Sequence, residues 1–187
     1  HQRNLPKYIM PPAILKKNNL LKNNIASVEK AEGWQKLSAA EQFLDAQLDT
    51  ENFPSQASFS LRFNGEEGKK TAYTQKINNF ADIKNFHFGG WMKTKDFENA
   101  WQVSLQIQVR IKDSEGQIKQ KSFTAGNTSY QTGNIGWSYY GVDFEIEEEI
   151  ISMTARITSA HPSGTKVEQE RANKGTAWLA NAYLQEK

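Results

Sequence analysis

The sequence predicts an all-β fold, a β-sandwich or jelly roll of two antiparallel sheets. One observation is a period of two. Val103, Leu105, Ile107, Val109 and Ile111 alternate with Gln102, Ser104, Gln106, Gln108 and Arg110. Such alternation is that of a strand with one buried and one outward face. A second observation is turn chemistry between the alternating stretches, as at Asn64-Gly65 and Asp113-Ser114-Glu115-Gly116. A third is number: about eight to ten short strands, a count typical of sandwiches and jelly rolls. With 187 residues and no internal repeat, the chain suits one core.

Residues 1–18 hold Pro6, Pro11 and Pro12 and no steady period, which predicts an extended linker or an arm. The module proper is expected over 19–187. Leu20-Leu21 reads as a short strand, followed by a turn at Asn23-Asn24 and by Gly33-Trp34, with Trp34 in the core. Residues 38–49 are open to two readings. Leu37, Ala40, Leu44 and Leu48 have helical spacing, and Ser38 with Glu41 fits a capping box. Phe43, Asp45, Gln47 and Asp49 against Leu44, Ala46 and Leu48 fit a strand.

Ala57, Phe59, Leu61 and Phe63 alternate with Ser58, Ser60 and Arg62, and Thr71–Asn78 forms the next strand. Residues 117–134 are polar and broken by Gly126, Asn127 and Gly133. Alternation resumes at Trp137 through Tyr140, Val142, Phe144 and Ile146, then in Ile151, Met153, Ala155 and Ile157. His161-Pro162-Ser163-Gly164 opens a polar loop, and 175–184 is the last strand.

Composition excludes several functions. Twenty-three basic residues against 21 acidic ones give a net charge of +2, too balanced to argue for nucleic acid or an anionic membrane. No apolar run of about 18 residues is present to span a bilayer as a helix. The absence of Cys removes disulfides, thiol catalysis and Cys-type zinc sites without fixing a compartment. His1, His87 and His161 lack ligand spacing. No phosphate loop and no nucleophile elbow occurs. Asp143, Glu145 and Glu147 share one strand face, and Glu147-Glu148-Glu149 reads as a solvated turn. These signs predict a non-catalytic chain. It opens on His1 with no recognisable secretory leader, so it is read as a piece of a longer protein.

The stretch 86–94 draws most attention. Phe86, Phe88, Gly90 and Met92 fall on one face, and His87, Gly89, Trp91 and Lys93 on the other. An outward Trp beside a Gly is a candidate platform for a flat ligand.

Taken in order, these pieces resemble a known family. Asn19-Leu20-Leu21-Lys22-Asn23 with Gly33-Trp34, 57–63, Tyr73-Thr74-Gln75-Lys76-Ile77, 86–94, Gly136-Trp137 with 140–144, and 175–184 are similar to successive motifs of carbohydrate-binding modules of the family 4/9/16/22 type. That family has a galactose-binding-like jelly-roll fold. The resemblance implies a strand over 40–49. It also implies a polysaccharide or oligosaccharide partner and an extracellular or cell-surface, monomeric module within a larger glycan-active enzyme. By the same resemblance the ligand lies on one concave sheet formed by 86–93, 102–111 and 151–158. Its candidate contacts are Trp91, His87, Gln102, Gln106, Gln108, Arg110 and Arg156, with Tyr139 nearby. A pyranose offers an apolar face to a ring and hydroxyls to amides that both donate and accept.

Family members often hold a structural calcium through two carboxylates. Here those positions match Ser27 and Ala180, with Asn181 next, so no metal cofactor is expected. The competing reading is a structural or adhesion sandwich of a cell-surface or phage tail protein. A binder leaves Trp91 and the Gln row open; a spacer covers them. A catalytic jelly roll would need converging acid and base groups.

Overall fold

Two five-stranded antiparallel sheets face each other in the computed structural model, which describes residues 18–25, 32–41, 43–66, 69–97, 103–127, 133–158 and 174–187. The strands are β1 (Gln35–Lys36), β2 (Gln47–Asp49), β3 (Ser60–Asn64), β4 (Ala72–Lys76), β5 (Asn85–Phe97), β6 (Ser104–Lys112), β7 (Ile118–Asn127), β8 (Gly133–Glu145), β9 (Glu149–Thr158) and β10 (Thr176–Glu186). Sheet A has the order β1-β4-β9-β6-β7, and sheet B the order β2-β3-β10-β5-β8. No helix occurs among the described residues.

The alternating residues form the core as the period of two requires. Leu105, Ile107 and Val109 of β6 and Met153, Ala155 and Ile157 of β9 point inward from sheet A. Phe63, Phe86, Phe88, Met92, Phe144 and Leu184 answer them from sheet B. Phe144 stacks on Phe86 with ring centroids 5.0 Å apart and on Phe123 of β7 at 4.3 Å, joining the two sheets. Trp34 is fully buried, as its sequence context predicts.

Some details differ from the sequence reading. Leu20-Leu21 is not a strand. Residues 18–25 are tied to β10 by the Leu20 N–H, which donates to the Leu184 carbonyl at 2.9 Å. Residues 47–49 form the short edge strand β2, so the strand reading of this region holds and the helical one does not. β7 lies inside the polar stretch 117–134, where no strand is evident from pattern. Of the expected linker 1–18, only Asn18 falls among the described residues.

The single concave sheet expected from 86–93, 102–111 and 151–158 does not exist. β6 and β9 are neighbours in sheet A, whereas β5 lies in sheet B between β10 and β8. Alternation places a residue outward but says nothing about which sheet it leaves.

Candidate functional site

The candidate residues separate into two groups on opposite outer faces. Gln106, Gln108, Arg110 and Arg156 stand on the outside of sheet A. His87, Trp91 and Tyr139 stand on the outside of sheet B. Gln102 lies outside the described residues. The two groups cannot share one groove, because the hydrophobic core lies between them.

On sheet B the outward aromatic residues are covered. Trp91 is 8% exposed and packs with Tyr139, Ala180 and Tyr183, with Ala57 and Trp137 against them. Its Nε1 is buried without a hydrogen-bond partner. The two glycines beside this cluster make room for polar contacts rather than for an open Trp91 ring. A Cβ at Gly89 would stand 2.2 Å from the Tyr139 hydroxyl, and one at Gly141 would stand 2.9 Å from the His87 ring.

A hydrogen-bond chain runs through the cluster. The Tyr183 hydroxyl donates to Tyr139, which contacts His87 Nε2, and His87 Nδ1 contacts Asp143. Burial pushes the Asp143 carboxyl up, but His87 and Lys187 outweigh it and hold it below the usual range. Burial pushes the Tyr183 phenol up to about 12, against the opposing bond to Tyr139. Beside the chain, Trp178 donates its Nε1–H to Asp49, and Lys93 sits 5.1 Å from the centre of the Trp178 ring. His87, Tyr139 and Tyr183 thus form a buried hydrogen-bonded chain that ends at the exposed Asp143, and buried polar groups so bonded stiffen a structure.

Sheet A presents a different surface. Its ladder aligns outward side chains in rows across the strands. One row reads Gln35, Thr74, Arg156, Gln106 and Thr124; the next reads Lys76, Thr154, Gln108 and Ser122. Ser152, Arg110 and Gln120 form a third. Gln106, Gln108, Thr154 and Arg156 are half-buried, and Arg110, Gln120, Ser122 and Thr124 are exposed.

Along the β4 edge this face continues into a groove of about 1130 Å³. Gln35, Thr74, Lys76, Ser152 and Thr154 line it from the sheet; Asn18, Asn19 and Lys22 line it from the segment 18–25. Gln75 pins that segment, accepting from the Lys22 N–H at 2.6 Å and donating to the Lys22 carbonyl at 2.9 Å. The contribution of Lys76 and of the segment was not legible in the sequence. The alternation about Tyr73 was the available signal, since an inward Tyr73 sends Thr74 and Lys76 outward.

At Ala180, one of the two positions where the resemblance implies calcium, the side chain offers no oxygen to a metal. Ala180 puts a methyl into the Trp91 cluster, and the Asn181 amide donates toward the Gln56 carbonyl at 3.4 Å. Ser27 lies outside the described residues. Hard cations require several oxygen ligands, with charge among them.

The ten strands among the described residues, with their inward faces packed as one core, form a β-sandwich of the jelly-roll type. Among solved structures, the chain is similar to a family 16 carbohydrate binding module-2, with 17% identity and a TM-score of 0.56 over 90% of this chain and 100% of that one. It is similar to the CBM22-2 xylan-binding domain of Paenibacillus barcinonensis Xyn10C, with 8% identity and a TM-score of 0.55 over 82% and 91%. It is also similar to the enzymatically active domain of tailspike protein 4 of bacteriophage CBA120, with 13% identity and a TM-score of 0.58. There it matches with 90% of its length but spans only 21% of the tailspike chain. No family model matches, and no curated protein matches.

Proposed function

We propose that the chain is a non-catalytic sugar-binding module and that its ligand lies on the outer face of sheet A and in the adjoining groove. The observation that carries this reading is the chemistry of that face. Amides, hydroxyls and guanidinium groups stand in register across its strands and run into a groove large enough for several sugar rings. Gln side chains offer a donor and an acceptor each, as ring hydroxyls demand. The module would act in an extracellular or cell-surface protein by holding a partner domain near a polysaccharide, where effective concentration turns weak binding into useful binding. Glycan contact through Trp91, His87 and Tyr139 is given up, because those side chains are buried.

A second reading, a spacer or adhesion sandwich, draws on the covered state of Trp91 and on the likeness to part of a tailspike. Affinity electrophoresis and calorimetry against β-glucan, xylan, mannan, galactan and pectin separate the two. Binding to one class that falls about tenfold or more in the Gln106→Ala/Thr154→Ala double variant supports the first reading. In the same test Trp91→Ala should lower stability by about 3 kcal/mol through its cavity while leaving binding intact well below the unfolding midpoint. Binding to no glycan would leave the spacer.

A further inference from the structure

Several of the described cations have a carboxylate beside them, whereas Arg156 on the outer face of sheet A does not. Lys36 pairs with Asp45, Lys69 with Glu66, Lys84 with Glu147, Lys119 with Asp113, Lys121 with Glu148 and Lys187 with Asp143. Arg62, on the outside of sheet B, has Asp49 at 3.3 Å and also bonds Gln47. Arg156 stands on β9, the central strand of sheet A, and has no such partner. Its row neighbours are Thr74 and Gln106, and the rows on either side supply Ala72, Thr158 and Ser104, then Lys76, Thr154 and Gln108. Its Nε is removed from water and unbonded. Arg62 Nε is likewise unbonded, but the terminal nitrogens of Arg62 are engaged.

The other cations of this face are Lys76, Arg110 and Lys112. Its one carboxylate in the ladder is Glu149, opposite Lys112 at the far end. Glu32 and Glu186 line the groove from outside the sheet. The Arg156 Nε–H lacks a partner, and the planar fork of a guanidinium fits an oxyanion at two points.

We propose that the ligand of this face is an anionic glycan, a sugar polymer bearing carboxylate or sulfate groups, with Arg156 as the residue that reads the anion and Lys76 as its neighbour in that role. The proposal rests on the sugar-binding reading of sheet A and narrows it. The shared chemistry is an oxyanion on a pyranose. Hydroxyl contacts to Gln106, Thr154 and Gln108 would orient the ring while Arg156 takes the charge.

The test compares polymers matched except for charge. Polygalacturonate is set against its carboxyl-reduced form, and a sulfated galactan against the unsulfated one. The expected result is binding to one acidic polymer about tenfold tighter than to its neutral partner, the value of one charge-assisted bond. The margin should shrink between about 0.02 M and about 0.5 M salt. Arg156→Gln should erase the margin with the fold kept by circular dichroism, Lys76→Gln should reduce it, and Arg156→Lys should restore part of it. Whichever acidic polymer shows the margin names the source of the anion. Equal affinity for charged and neutral forms, selectivity that survives Arg156→Gln, or equally tight binding of polyglutamate would overturn the proposal. Binding to no polymer of either kind would instead overturn the sugar-binding reading beneath it.

Discussion

Asp49 shows how one buried carboxylate can anchor a face of the sandwich. It is 4% exposed, accepts from the Glu51 and Asn52 N–H groups at 2.9 Å each, and takes the Trp178 Nε1–H at 2.9 Å. Burial raises its pKa, but these donors outweigh burial and hold the carboxyl well below the usual carboxylate range. The unfolded chain, with an Asp pKa of about 3.9, therefore takes up this proton at higher pH than the folded one does. The stabilisation is complete above about pH 4 and is lost as pH falls further toward the folded pKa. Asp143 adds to the same window through its bonds to His87 and Lys187. Asp49→Asn should cost about 2 kcal/mol at neutral pH and make stability fall less steeply below about pH 4. Urea unfolding at pH 7 and at pH 3 measures both effects, and an unchanged acid slope would remove Asp49 from this role.

Strands differ in how openly the sequence declares them. β6 and β9 are paired along their length and alternate plainly, because each buries one face, apart from a register shift that leaves Ile151 exposed and turns Ile150 to the core. β7 is an edge strand whose inward positions include Lys119 and Lys121, with Lys121 reaching Glu148, so little apolar rhythm survives in it. Residues 40–49 contribute only the three-residue β2, too little to overcome a helical-looking spacing. β10 hides an irregularity: its register with β5 shifts between Ala180 and Tyr183, and Asn181 there has φ 48°. The bulge lets Trp178, Ala180 and Tyr183 all reach the outer face while Leu179, Ala182 and Leu184 stay in the core. Asn tolerates this left-handed conformation; a β-branched residue does not. Asn181→Val should cost about 1 to 3 kcal/mol, and Asn181→Gly should stay within about 0.5 kcal/mol of the wild type by thermal unfolding. Equal losses in both variants would assign the position to its side-chain bond with Gln56 rather than to its backbone.

At the scale of the molecule, the outward residues were readable but their sheet was not. Both faces obey the same period, and only strand order separates Trp91 from Arg156. The segment 18–25 lines the groove and clamps β10. Asn19 and Asn23 both donate side-chain amide protons to the Ala182 carbonyl, at 3.1 and 2.8 Å. Asn19 Oδ1 accepts from the N–H groups of Leu21 and Leu184 at 3.0 Å each. We infer that these amides join the segment to β10 without the help of a cation. Asn19→Ala should then destabilise the protein by about 1 to 3 kcal/mol, because it leaves part-buried backbone groups without partners. Binding of a cation to the folded state alone would raise the unfolding midpoint as its concentration rises. Millimolar calcium and a chelator should therefore leave the midpoint of both the wild type and Asn19→Ala unchanged. A midpoint that rises with calcium in the wild type would show that oxygen ligands outside these positions supply a site after all.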